Sequence, residues 1–141
     1  MKGIYFVLSK LKEPIIEKVG ALGEIEFKDG RYIYVGSAQN SLEGRISRHV
    51  SPNKSKHWHI DYLLEDAEIE EVLAYNMKKK KECDASRTLK KEFYEIEGFG
   101  CSDCDCSSHL FFTRDSRKKT IEKIINNIGG EDARLKDLDL Q

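Results

Sequence analysis

Hydrophobic and polar positions along the chain change period several times, and each change marks an element. Residues 3–8, Gly-Ile-Tyr-Phe-Val-Leu, are dense in β-branched and aromatic side chains and predict a strand. Glu24-Ile25-Glu26-Phe27 alternates polar with apolar, as a half-buried strand does. Asp29-Gly30 supplies the residues of a tight hairpin, and Arg31 to Val35 is expected to return as its second strand. Pro14 to Val19 suits either a strand or one helical turn. A helix carrying Leu42, Arg45, Ile46 and His49 follows, capped by Asn40 or Ser41, and is expected to stop near Ser51-Pro52. Further on, the pattern predicts a short helix over 58–64, a strand over 69–75 and a longer helix over 82–94 built on Ala85, Leu89 and Phe93. Ile121, Ile124, Ile125 and Ile128 recur at helical spacing, with Gly129-Gly130 as the stop. The expected class is α+β, a small and mainly antiparallel sheet flanked by helices.

Composition narrows this picture. The 141 residues, 39% hydrophobic and 35% charged with only 2 Pro, suit one globular domain, taken as 1–130, with a charged, loosely attached tail over 131–141. No apolar run is long enough to span a bilayer, and the brief one at the start has no small-residue cleavage site after it, so no membrane partner and a cytoplasmic location are expected. A net charge of −1 gives no global attraction to nucleic acid; any such role must rest on local patches. Two exist: Arg45, Arg48, His49, Lys54 and Lys56, and then 78–81 (all Lys) with Arg87, Lys90 and Lys91. A run of charge is as often simply a solvated face.

Of the four cysteines, Cys101, Cys104 and Cys106 crowd into one stretch with His109 behind them, a spacing that suits a metal better than disulfides. The set is a candidate tetrahedral zinc site, with Cys83 able to replace Cys101. The alternative is a reduced, buried cysteine loop whose His109 bonds to backbone. His57, His59 and Asp61 form a polar cluster around Trp58, better suited to supporting or DNA-contacting roles than to a metal.

Gly3-Ile4-Tyr5 and Tyr34-Val35-Gly36 match the two tripeptides that name the GIY-YIG nuclease superfamily, the second with Val for Ile. Gly36-Ser37-Ala38 and then 42–49, Leu-Glu-Gly-Arg-Ile-Ser-Arg-His, follow in the order of that family's arginine helix. The strings 58–63, Phe99-Gly100 and 102–110 make the chain resemble the Uri-type branch in particular, over residues 3 to about 112. The spacing between the tripeptides is longer than in compact members, as an extra hairpin or turn would make it.

The resemblance implies hydrolysis of a DNA phosphodiester with one divalent ion, Mg²⁺ or Mn²⁺, held by a helical glutamate. Such chemistry needs an activated water, cations against the phosphoryl oxygens and a carboxylate for a hard metal. Tyr5 would position or deprotonate the water, Tyr34 would orient water or phosphate, Arg45 would bind phosphate and His49, one turn on, would shuttle a proton. Strand tyrosines are otherwise core aromatics. Glu82, on a stripe with Ser86, Leu89 and Phe93, is the first candidate for the metal and Glu92 the alternative. Arg48, Lys54, Lys56, His57 and His59 are the candidate DNA contacts. Two other functions compete: a non-catalytic nucleic-acid-binding accessory module, with a repair glycosylase as partner, and a zinc-stabilised interaction domain.

Overall fold

The computed structural model describes residues 3–38, 42–50, 59–76, 81–99, 107–128 and 134–135. Several sequence expectations fall outside them: the Asn40 or Ser41 cap, Lys54, Lys56, His57, Trp58, Cys101, Cys104, Cys106 and Gly129-Gly130.

Among the described residues, eight strands, four α-helices and a short 3₁₀ turn follow one another: β1 (Gly3–Leu11), β2 (Ile15–Lys18), the turn (Gly20–Leu22), β3 (Glu24–Phe27), β4 (Gly30–Ala38), α1 (Leu42–Val50), α2 (His59–Leu64), β5 (Glu68–Tyr75), α3 (Lys81–Lys90), β6 (Tyr94–Glu95), β7 (Leu110–Thr113), α4 (Arg117–Ile128) and β8 (Arg134–Leu135). Six strands form one sheet in the order β6-β7-β4-β1-β5-β8, and every pair in it is antiparallel. β2 and β3 form a separate two-stranded sheet. The α+β class with a mainly antiparallel sheet is what the chain adopts.

β1 and β4 are central strands, buried on both faces, which is why they read as nearly continuous apolar runs. Strand alternation sends their side chains into two cores. Tyr5, Val7, Leu11, Tyr32 and Tyr34 face one core with Ile46 of α1, Ile60 and Leu63 of α2 and Phe27 of β3. Ile4, Phe6, Leu8, Ile33 and Val35 face the other with Ala85 and Leu89 of α3 and Ile124 of α4. The four isoleucines of α4 all join that second core, as their spacing predicts.

Differences from the sequence expectations have local causes. Pro14 to Val19 resolves as a strand over Ile15–Lys18, and β2 with β3 lies in the interval between the two tripeptides. The predicted β3–β4 hairpin does not form. β3 pairs with β2, and β4 begins at Gly30 opposite Leu11 of β1, so Asp29-Gly30 carries the chain from the small sheet into the large one. Gly30 has φ +147°, and a side chain there would collide with the Phe112 ring. α3 ends at Lys90, short of Tyr94. The Phe93 N–H still bonds Leu89 O, which keeps Phe93 in the core, while Tyr94 pairs with Phe112 as an edge strand. β7 was not among the predicted strands, although Leu110-Phe111-Phe112-Thr113 is a short run of strand-forming residues. Within the expected tail, the described residues Arg134 and Leu135 pair with Tyr75 and Ala74. Among the described residues no helix is long and apolar enough to cross a membrane.

Candidate active site at the end of the central strands

The β1–β4 register sets Tyr5 directly opposite Gly36 and Val7 opposite Tyr34, so the two glycine-tyrosine tripeptides lie side by side. Tyr5 and Tyr34 share a face, with ring centroids 6.4 Å apart. The close approach depends on Gly36: a β-carbon there would fall within 2.9 Å of the Tyr5 ring edge and closer still to its hydroxyl. Gly36 is therefore a packing requirement of Tyr5, although its own backbone is ordinary.

α1 lies over this face because Ile46 is buried in the first core. Residues one turn apart share a helix face, and α1 accordingly presents both Arg45 and His49 to the tyrosines. Tyr5 Oη and His49 Nε2 are 2.6 Å apart, and the His49 ring sits 5.3 Å from Tyr5 and 5.9 Å from Tyr34 between centroids. Arg45 Nη1 donates to the Ser37 carbonyl at 3.0 Å, and its guanidinium also bonds the Tyr5 hydroxyl.

Glu82 arrives from the opposite face of the sheet. Ser37 follows the alternation of Ile33 and Val35, so its side chain points toward α3, and Ser37 Oγ donates to Glu82 Oε2 at 3.0 Å. His109 Nδ1 is 3.0 Å from Glu82 Oε1 and 3.2 Å from Val35 O. Both neighbours are acceptors, so the Nδ1 position carries the proton. Ser37 thereby joins the two halves of the site, its carbonyl holding Arg45 and its hydroxyl holding Glu82.

Electrostatics follow from burial. Desolvation pushes the Tyr5 phenol well above its ordinary value of 10, reinforced by Tyr34 and Glu82 and opposed by Arg45. Burial lowers the His109 imidazole, but the Glu82 carboxylate, Cys83 and the Val35 carbonyl outweigh it, and the net shift is upward. Tyr5 is thus a protonated phenol at neutral pH, and His109 is biased toward its charged form beside a carboxylate.

The structure brings together Tyr5, Tyr34, Arg45, His49 and Glu82 from β1, β4, α1 and α3. Glu92 stands beyond the far end of α3, exposed, 4.0 Å from Lys123 Nζ. Arg48, a candidate DNA contact, grips buried Asp61 with both terminal nitrogens, at 3.1 and 3.0 Å, and ties α1 to α2. His59 packs edge-on against Phe99 at 5.5 Å, and burial lowers its pKa. His109, assigned from its spacing to a cysteine cluster, has its Nδ1 committed to Glu82 and Val35. Ser37 and Gly36 are the site residues whose roles the sequence did not reveal; the parity of strand β4 was the available signal for Ser37. Among the described residues no three His, Cys, Asp or Glu side chains stand together as a metal cage.

Comparison with curated proteins and with solved structures finds no match. A family model described as domain of unknown function DUF123 matches residues 4–130, which contain every residue of this site and all but the last strand of the fold. The chain belongs to the DUF123 family.

Proposed function

We propose that the protein is a metal-dependent endonuclease of GIY-YIG type that hydrolyses DNA phosphodiester bonds in repair or processing. The observation that carries this reading is the convergence of a phenol from β1, an imidazole and a guanidinium from α1 and a carboxylate from α3 at one end of the central strands. The side-by-side tripeptides support the GIY-YIG assignment.

Tyr5 cannot serve as a standing phenolate: with its pKa above 10, less than about one molecule in a thousand is ionised at pH 7. It works as a relay. Water gives a proton to the Tyr5 oxygen as the Tyr5 proton passes to His49 Nε2, 2.6 Å away; the resulting hydroxide attacks phosphorus, the P–O bond to the departing ester oxygen breaks, and that oxygen takes a proton from solvent. Arg45, anchored on Ser37 O, supplies a fixed positive charge toward the phosphoryl oxygens, where charge grows as the bond breaks. Tyr34 orients water or phosphate beside it.

Glu82 fits a hard divalent ion of the Mg²⁺ or Mn²⁺ class. A carboxylate has about four lone-pair sites, of which Ser37 and His109 use two. Such ions are commonly held by one or two carboxylates together with substrate phosphates. Bound there, the ion would neutralise phosphate charge and polarise the scissile bond.

The test is cleavage of supercoiled, branched and single-stranded DNA with Mg²⁺ or Mn²⁺, comparing wild type with Tyr5→Phe, Arg45→Ala and Glu82→Gln. Metal-dependent nicking that falls by about 100-fold or more in each variant is expected. Binding without cleavage by the wild type, across metals and substrates, would replace this reading with that of a non-catalytic accessory module, which the net charge of −1 favours.

A further inference from the structure

α3 connects the candidate active site to a second surface. Glu82 lies in its first turn and Lys90 at its end, ~12 Å along the axis. There a groove of about 960 Å³ follows the β6–β7 edge, between β3, the end of α3 and α4. Its floor is aromatic. Tyr32 and Phe112 stack obliquely with centroids 5.1 Å apart, and the Arg114 guanidinium covers Phe112 at 5.4 Å. Tyr94, on the edge strand, is 76% exposed, the most exposed large apolar side chain of the described residues.

The rim is basic. Lys28, Lys90, Lys91 and Arg114 border the groove and are exposed. Its lining holds five cations, these four and Lys123, against three carboxylates, Glu26, Glu92 and Asp115, of which Lys123 engages Asp115 at 2.8 Å and Glu92 at 4.0 Å. Arg114 pairs with Asp29 at 3.3 Å and Lys90 with Glu95 at 3.8 Å. Exposed pairs of this kind contribute at most about 1 kcal/mol, so they exchange readily for a phosphate.

Resting on the reading of the chain as a DNA-processing protein, we propose that this groove binds an unpaired, single-stranded stretch of DNA. A base stacks on Tyr94, and Lys28, Lys91 and Arg114 take the phosphates. The exposed phenol ring argues for a single strand, because only an unstacked base has a face to offer it. A volume at the upper end of the range for ligand clefts, about 300–1,000 Å³, leaves room for more than one nucleotide. The acidic chain, at net −1, gains here the local positive potential that a polyanion requires.

The experiment is fluorescence anisotropy of a labelled oligodeoxythymidylate with the full chain in EDTA, where no metal-dependent cleavage can occur. Tyr94→Ala is expected to weaken binding about tenfold. The double variant Lys28→Ala/Lys91→Ala should flatten the dependence of log affinity on log salt by about 1.4, at ~0.7 per phosphate contact for a single strand. Both changes lie on exposed residues, and far-ultraviolet circular dichroism verifies the folds. No binding by the wild type, or affinity and salt slope equal in all three proteins, overturns the proposal, as does equal competition by polyglutamate. Because cleavage is not the readout, failure of the nuclease reading leaves this outcome intact, and failure here leaves a Tyr5-dependent cleavage intact.

Discussion

Gly36 and Tyr5 show how much one side-chain atom decides. They face each other across β1 and β4, and the ring lies where a β-carbon of residue 36 would be. Gly36→Ala must displace either the ring or the strand in a core that is buried on both faces. The expected cost is about 1–3 kcal/mol in chemical denaturation, typical of overpacking, with loss of any Tyr5-dependent cleavage. Wild-type stability and activity in this variant would mean that the ring and strand are not so closely opposed. Tyr5 also makes a prediction in pH. Its folded pKa is raised, so above pH ~10 the unfolded chain releases this proton while the folded chain retains it. The stabilisation is complete below about pH 10 and is lost as the pH rises further. Wild-type stability should therefore fall more steeply between pH 10 and 12 than that of Tyr5→Phe; parallel curves for the two proteins would contradict the burial of the phenol. Little of this residue chemistry was legible beforehand. Tyr5, Arg45 and His49 could be singled out by motif and by the one-turn spacing on α1. The link through Ser37 could not, since it joins residue 37 to residues 45 and 82 on opposite faces of a sheet.

At the scale of elements, α1 is held from two directions. Ile46 anchors it in the first core, and Arg48 clamps it to Asp61 of α2. Asp61 has no exposed side-chain surface, whereas Arg48 retains 27%. Removing the arginine therefore takes two charge-assisted bonds from a buried carboxylate, while solvent reaches part of the space it leaves. Arg48→Ala is expected to cost about 3 kcal/mol by urea denaturation, at the low end for a broken buried pair. Arg48→Met with Asp61→Leu should recover much of that loss, and a double variant no more stable than the single one would show that the clamp is not electrostatic. Because α1 carries Arg45 and His49, the recovered protein reports whether the clamp also aligns the site. Elements with a strong period were read correctly from their own residues: β1, β5, α1 and α4. The hairpin from β3 to β4 was misread because Asp29-Gly30 is a turn signal with no information about which strand is the partner. α3 was read too long because Leu89 and Phe93 keep helical spacing and a common core after the helix itself has ended.

Over the whole molecule, the sheet places the site at one end of its two central strands and the aromatic groove along its β6–β7 edge, with α3 spanning the interval. Both surfaces depend on pairings between distant segments, Tyr34 with Leu110 and Tyr94 with Phe112 among them. Residues adjacent in sequence determined what local physics can determine: the α+β class, the apolar faces of the helices, the central strands and the set of reactive side chains. Only the tertiary structure decided which carboxylate reaches Ser37, the residue whose carbonyl holds Arg45. Glu82 and Glu92 lie ten positions apart and are chemically identical, and what separates them is that α3 points its first turn at Ser37 and sends its end toward Lys123. Periodicity fixes the face on which a residue lies. Which groups then come together across that face is set by strand register and helix docking, because those contacts form between segments that share no local signal.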